Sequence, residues 1–551
     1  MNEPSRRRSE PRASGSVGAE LVNAALLIAA VTVVARIIGF VRVVVLARTV
    51  GTECLGRVYA TANAVPNIVF ELVVGGALAA VVVPLIAGAR EADPARVRAM
   101  VAALHGWALV LLVPITATMY VASTWVIGFL LGSADDCGSE APTVARAMLW
   151  VFLLQIPIYG ATVVAQGALQ SHRRFFAPAV APAVSSLLVL ASYLAYAEMA
   201  GPARGSLVAL SDAEFLLLAG GTTLGVVALL AVQLPGLARA GLIVRPSLTF
   251  PAGKWAQART LAWSGAVVVG VQWVGYAAAV RWSNIYGSQV SALVLLLGWT
   301  LFLLPWSILV LPIATSTFPR LSALHERGDD AAAARTTAQS VRAVFVASAI
   351  GAAGLAAAAG PLAVVILQDA PGGGGVAELT ALLIALAVGV FGYGVHGHLV
   401  RVLAARHQAP MAAWGTTVGW GLGILVAGVL AVRSDDGVEV ARAIGVGFSS
   451  GLVVGAAVLL VALRRLAGSQ ALTGVLRVGV ASGLAAVVVG WLGHILLTAG
   501  SGETSLGVAV AQTLMAGCVA LVIVGGTAAL ADPGAVRTLL RMRSRSGDGP
   551  S

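Results

Sequence analysis

Three arginines recur every six residues in ARIIGFVRVVVLARTVG (35–51), a stretch otherwise apolar enough to sit in lipid. A charge near the middle of a bilayer costs at least ~2.5 kcal/mol on insertion scales. Arg36 and Arg42 therefore demand a partner, a wet cavity or a ligand. The next apolar segment, YATANAVPNIVFELVVGG (59–76), carries Tyr59, Asn63, Asn67 and Glu71 at i, i+4, i+8 and i+12. That spacing puts them in one stripe on a helix, and Gly75 continues it. Lipid satisfies neither an amide nor a carboxylate, so the stripe must turn toward protein or water. The chemistry these residues suit is non-covalent: a cationic cavity lined by Arg36, Arg42, Asn63, Asn67 and Glu71, open to an anionic headgroup. The plainer alternative is an Arg36–Glu71 ion pair that only ties two helices together. Counting inward at ~1.5 Å per residue, Arg36 lies ~18 Å and Glu71 ~21 Å from the outer surface, so antiparallel neighbours would bring them together. Arg42, ~9 Å deep, has no evident carboxylate partner. It shares a face with Arg36 only if the helix bends, which Gly39 permits. Arg48 and Arg57, at the outer interface, read as snorkelling side chains.

The elements that position these residues follow from composition. The chain is 58% hydrophobic and 11% charged, with a mean hydropathy of +0.91. Apolar runs long enough to span a bilayer recur from Leu21 to Leu530. They lack the period-two alternation of an outer-membrane barrel. The pattern predicts an all-α polytopic membrane protein of fourteen helices, near 20–47, 58–88, 99–131, 141–170, 175–198, 212–238, 257–281, 287–318, 333–367, 376–402, 410–432, 439–463, 474–498 and 506–531. Alternate connections then hold 26 basic residues on one side and 6 on the other, with Arg36, Arg42 and Arg146 inside helices. By the positive-inside rule both termini are cytoplasmic, and the net charge of +11 is topological, which excludes a nucleic-acid partner. The first 15 residues read as a cytoplasmic tail, not a signal peptide.

No connection is long enough for a separate soluble domain, so function must live among the helices. VPLIAGAREADPARVRA (83–99) and FPRLSALHERGDDAAAART (318–336) each close a long helix with proline and run through mixed charge into the next. They lie six helices apart on the same side, which suggests a parallel repeat. The domains expected are a basic tail (1–19), a first lobe of helices 1–6 (20–238), a second of helices 7–12 (239–465, with a linker at 239–256), two extra helices (466–532) and a C-terminal tail (533–551). Pro66, Pro114, Pro157, Pro305 and Pro312 interrupt helices, as a moving transporter tolerates.

Other polar positions say less. Gln155, Gln166, Gln272 and Tyr276 suit a cavity lining or bonds across helices. His396 and His398, two apart, face different ways and read as packed histidines. No HExxH, CxxC, nucleophile elbow or phosphate loop stands in a fitting context, and GGGG at 372–375 follows no strand. No metal, cofactor or enzymatic activity is expected. Cys54 and Cys137 fall in external loops, where a disulfide across one lobe's outer mouth is possible. Cys518 reads as a buried structural cysteine of the last helix.

R-I-I-G-F-V-R (36–42), L-A-R (46–48) and V-P-N-I-V-F-E-L-V-V-G-G-A-L-A-A-V-V-V-P (65–84) closely resemble the opening of the MurJ/MviN proteins. Those are lipid II flippases of the multidrug/oligosaccharidyl-lipid/polysaccharide exporter superfamily. E-L-x-x-G-G resembles actinobacterial members, and 34 Arg against one Lys fits a high-GC genome. LFLLPWSILVLPIATSTFPRLS (301–322) resembles the family's eighth helix. The resemblance implies two six-helix lobes around a central cavity, working by alternating access in the bacterial cytoplasmic membrane. The substrate would be undecaprenyl-pyrophosphate-linked disaccharide-pentapeptide, with cell-wall synthesis proteins as partners. By position, Arg36 and Arg42 match two arginines of the family's cavity, and the last two helices would hold the polyprenyl tail. Departures are Arg57 where an aspartate is common, and Phe70 and Thr300 where some members are basic. The segments 257–281 and 410–432 hold no acid for a sodium site. A flippase for another polyprenyl-linked saccharide, a drug/cation antiporter and a non-transporting scaffold of a cell-wall complex are the alternatives. The antiporter would want membrane carboxylates, of which Glu71 is nearly alone.

Overall fold

The computed structural model describes residues 14–72, 94–132, 135–172, 174–250, 254–498 and 505–532. The expectations for the two tails, for the second helix beyond residue 72 and for 83–93 fall outside these residues. The described residues are helical throughout, with no strand. The helices are α1 (Ser14–Val50), α2 (Cys54–Phe70), α3 (Pro94–Val121), α4 (Ser123–Leu131), α5 (Ala141–Ser171), α6 (Phe176–Ala200) and α7 (Asp212–Arg239). There follow α8 (Lys254–Ile285), α9 (Ser291–Glu326), α10 (Asp330–Leu367), α11 (Val376–Ala405), α12 (Ala409–Ala431), α13 (Gly437–Ala467), α14 (Val475–Thr498) and α15 (Leu506–Ala531). Among the described residues eleven helices are long and apolar enough to cross a membrane, as a polytopic membrane protein requires. Only some of the expected proline interruptions occur: α5 breaks at Leu154, three residues before Pro157, and α9 widens into a π-turn at Trp306–Val310 directly after Pro305, whereas α2 and α3 continue through Pro66 and Pro114.

Lipid tails are as apolar as leucine, so close packing rather than water exclusion must join these helices. One closely packed pair, α12 and α13, meets through Gly415, Gly419 and Gly423 on one side and Gly447, Gly451 and Gly455 on the other. A methyl group at Gly419 would lie 2.8 Å from the Gly451 carbonyl oxygen and 2.8 Å from the Gly455 Cα. This small-xxx-small ladder is plain in the sequence as a four-residue spacing. It fixes the second lobe, in which α10, α11 and α13 form the centre and α14 and α15 lean on α10.

Among the described residues the apolar packing between the two halves of the chain gathers at one end. Around the Cys54 and Cys137 end a single apolar cluster runs from Leu46, Leu55 and Leu149 into Leu293, Leu301 and Phe448. At the other end the core is split, into Val97, Leu104, Val164 and Leu237 in one lobe and Leu321, Val344, Leu399 and Leu463 in the other. Among the described residues the apolar core is thus continuous at the disulfide end and divided at the opposite one. There the first half is braced by the segment after α7. Ser247 N–H donates to the Ala102 carbonyl over 2.9 Å, and the Trp107 indole donates to Leu248 O over 3.0 Å. Gly106 permits this approach, because a side-chain carbon there would collide with the Ser247 carbonyl. Gly106→Val is expected to lift the strap and destabilise the lobe by about 1–3 kcal/mol. Faster proteolysis within 240–250 would report it, with Gly128→Val, whose surroundings are open, as the neutral control.

Two expectations need correction here. Arg57 does not snorkel: it is 3% exposed and spans the lobes. It donates from Nε to Asn284 Oδ1 (3.0 Å) and from Nη1 to Asp136 (2.8 and 3.0 Å). Arg48 likewise reaches across, donating to Val365 O at 2.6 Å and lying 3.5 Å from the Asp369 carboxylate. Hydropathy places both at an interface but cannot say that the interface is between lobes. Cys518 is exposed rather than buried. A residue facing lipid and one facing protein read alike in an apolar helix.

Candidate functional site

The candidate residues lie on α1 and α2, which hardly touch each other; α1 packs on α6 instead. Sequence adjacency had suggested a direct α1–α2 contact, and the Arg36–Glu71 ion pair that depends on it does not form. Arg36 is exposed, and Arg42, Asn63, Asn67 and Glu71 are half-buried. The helix α1 runs unbroken through Gly39, where the surroundings are open.

The stripe of α2 divides in two. Its first member, Tyr59, is fully buried and bonds to the Tyr193 hydroxyl (2.6 Å) and to Thr222 Oγ1 (2.8 Å), fixing α2 to α6 and α7. Further along, Asn67 spends one amide hydrogen on the Asn63 carbonyl of its own helix (2.8 Å). The Asn63 side chain, both arginines and the Glu71 carboxylate have no hydrogen bond or ion pair among the described residues. Charged groups half out of solvent and left unpaired are costly unless something else comes to pair them.

Tyrosines link these groups. The Tyr159 hydroxyl on α5 lies within electrostatic reach of both Arg42 and Glu71. Tyr393 on α11 lies within electrostatic reach of Glu71 and of Arg401. Arg401 was passed over because it sat at an expected helix end. In fact α11 continues to Ala405, and the Arg401 guanidinium stacks 5.4 Å over Trp306 while donating to Gly397 O at 2.9 Å. The second lobe thereby contributes one cation of its own. Elsewhere the polar residues are spent on packing. Gln155 bonds to Thr223 (3.0 Å), His396 to Thr416 (3.1 Å) and His398 to Ser340 (2.9 Å). Cys54 and Cys137 are disulfide-bonded, with a Cα–Cα distance of 5.4 Å. No group of three or more His, Cys, Asp or Glu that could hold a metal occurs among the described residues.

A bundle of apolar helices that carries a polar, partly unpaired stripe among its described residues is a polytopic membrane fold. Known structures agree. A lipid II flippase MurJ in an inward closed conformation superposes over 91% of this chain and 98% of its own, with a TM-score of 0.69 at 14% identity. An inward-facing multidrug MATE transporter of the MOP superfamily covers 80% of this chain and 95% of its own, with a TM-score of 0.63 at 15% identity. At such identities these likenesses speak for the fold. The sequence decides the family, since the model described as "Lipid II flippase MurJ" matches residues 46–510. The chain belongs to the MurJ family. A relative from Burkholderia cenocepacia, named lipid II flippase MurJ, is 26% identical over 228 residues. That match spans 40% of this chain and 41% of the relative, less than half the length of each.

Within the MurJ family this site has its own character. Phe70, where some members are basic, packs its ring against Tyr159 at 4.1 Å between centroids. Thr300 spends its hydroxyl on the Leu296 carbonyl of its own helix (2.9 Å). Neither adds charge, so among the described residues the candidate cations are Arg36, Arg42 and Arg401.

Proposed function

We propose that this protein moves the lipid-linked peptidoglycan precursor lipid II from the inner to the outer leaflet of the bacterial cytoplasmic membrane by alternating access, without covalent chemistry. The observation that carries the reading is Arg42. It is half-buried and makes no hydrogen bond or ion pair among the described residues, in a chain of the MurJ family. A guanidinium held there is pre-arranged for a diphosphate, which it binds through several charge-assisted hydrogen bonds. Asn63, Asn67 and Glu71 offer donors and acceptors for the sugar beside it. In this reading α1, α2 and α8 join the eleven apolar helices as spans, making fourteen. Both termini are cytoplasmic and the disulfide end faces outward. The first lobe covers 20–238 and the second 239–465, while 466–532 grooves the polyprenyl tail. Such a state receives substrate from the cytoplasmic side. Uphill steps draw on the membrane potential, worth ~2.3 kcal/mol per charge per 100 mV, or on an ion gradient.

The uncharged Phe70 and Thr300 favour one second reading, a flippase for another polyprenyl-linked saccharide. Native mass spectrometry of the purified protein separates the two. Lipid II is expected to be retained over phosphatidylglycerol and over a polyprenyl-monophosphate glycan. Its affinity should fall roughly tenfold to a hundredfold in Arg42→Ala, the worth of one charged hydrogen-bonding partner. Retention of the monophosphate glycan in preference to lipid II would overturn the lipid II assignment.

A further inference from the structure

The disulfide and the buried inter-lobe arginine occupy one small volume. Arg57 lies one helical turn after Cys54, and Asp136 immediately precedes Cys137. Arg57 Nη1 is 3.9 Å from the Cys137 sulfur as well as 2.8 Å from the Asp136 carboxylate, and the Cys54 sulfur lies 4.0 Å from the Asp136 carbonyl oxygen. Through Nε the same guanidinium holds Asn284 of the second lobe, whose amide in turn donates to Thr61 and to the Leu130 carbonyl. We propose that the Cys54–Cys137 disulfide is a redox-labile site that sets how firmly the outer seam between the lobes is closed. The proposal rests on the outward placement of this end.

The physical chain is short. Asp136 is the one carboxylate ion-paired with Arg57 among the described residues, yet its side chain is 46% exposed while that of Arg57 is 3% exposed. What keeps an exposed aspartate on a buried guanidinium is the covalent tie of the neighbouring Cys137 to α2. Once that tie is cut, Asp136 gains water and conformational freedom by leaving. Arg57 is then a buried cation without its counter-ion, a state relieved by letting water into the seam. Reduction is also chemically favoured at this bond. An attacking thiolate meets the Cys54 sulfur, which is half-exposed, whereas Cys137 is 8% exposed. The S–S bond breaks and Cys137 leaves as a thiolate next to the guanidinium, which lowers the proton affinity of the leaving sulfur. A dithiol completes the exchange by closing its own disulfide, leaving two cysteine thiols with its two hydrogens.

The backbone supplies the readout. Thr52 N–H donates across the lobes to Pro371 O at 2.9 Å, so its deuterium exchange reports opening of the outer seam. The experiment compares right-side-out vesicles of the full chain with and without the charged phosphine tris(2-carboxyethyl)phosphine, which takes oxygen from water as the two thiols take its hydrogens. A mass shift with a membrane-impermeant maleimide should follow, and exchange at Thr52 should rise at least tenfold. Asp136→Asn, with the disulfide intact, should speed exchange likewise, which separates loss of the ion pair from loss of the fold. Failure of the phosphine to reach a disulfide that it reduces in detergent would overturn the outward placement and the proposal with it. Complete reduction with unchanged Thr52 exchange would overturn the coupling alone and leave the flippase reading intact.

Discussion

An Arg42→Ala chain is expected to reach the membrane in normal amount and to transport lipid II at least ~10-fold, and up to ~100-fold, more slowly. The size follows from what the arginine would lose. It makes no hydrogen bond or ion pair within the described residues, so its removal breaks no structural tie and leaves no partner stranded. Stability should therefore be unchanged, a separation that a structural arginine would not show. Arg42→Lys keeps the charge but loses the planar fork that matches a diphosphate, so it should fall between wild type and alanine. Arg36→Ala should cost less than Arg42→Ala, because Arg36 is exposed and less enclosed by the protein. Rates measured in reconstituted vesicles, beside melting temperatures of the same preparations, check the set.

Gly451→Leu is expected to be the most damaging single change to the fold. A first side-chain carbon there would sit 2.7 Å from the Gly423 Cα and closer still to the Gly419 carbonyl oxygen. Those are backbone atoms of a helix held along its whole length, so they cannot swing aside as a side chain can. Overpacking of this kind costs about 1–3 kcal/mol where side chains yield, and it should reach or exceed the top of that range here. Gly421 lies on the facing helix α12 with open space around it, so Gly421→Leu should melt like wild type. Thermal unfolding in detergent distinguishes the pair, and equal melting temperatures would show that the glycine ladder carries no stability.

The helix positions were legible because hydropathy and helix length answer the same physical demand, the thickness of a bilayer. The polar stripe on α2 was legible for a related reason: an amide or acid in lipid has few places to go. Partners across the lobes were not. Arg57 meets Asn284 over a sequence separation of 227, and nothing in either residue's neighbourhood announces the other. Arg401 stands next to the expected helix end at 402, and its stacking on Trp306, a residue 95 positions earlier, is not visible in the sequence. The α1–α2 contact failed because neighbours in sequence need not be neighbours in a helix bundle, and α1 packs on α6. The α12–α13 glycine ladder could have been found, as its four-residue spacing is visible in the chain.

The central claim is that this protein delivers lipid II to the outer leaflet and that Arg42 does part of that work. The most direct measurement depletes the native protein and quantifies lipid II exposed at the outer leaflet, while complementing with wild type or with Arg42→Ala. Surface lipid II should fall on depletion, return with wild type and stay low with the variant. Unchanged surface lipid II on depletion, or full rescue by Arg42→Ala, would contradict the claim.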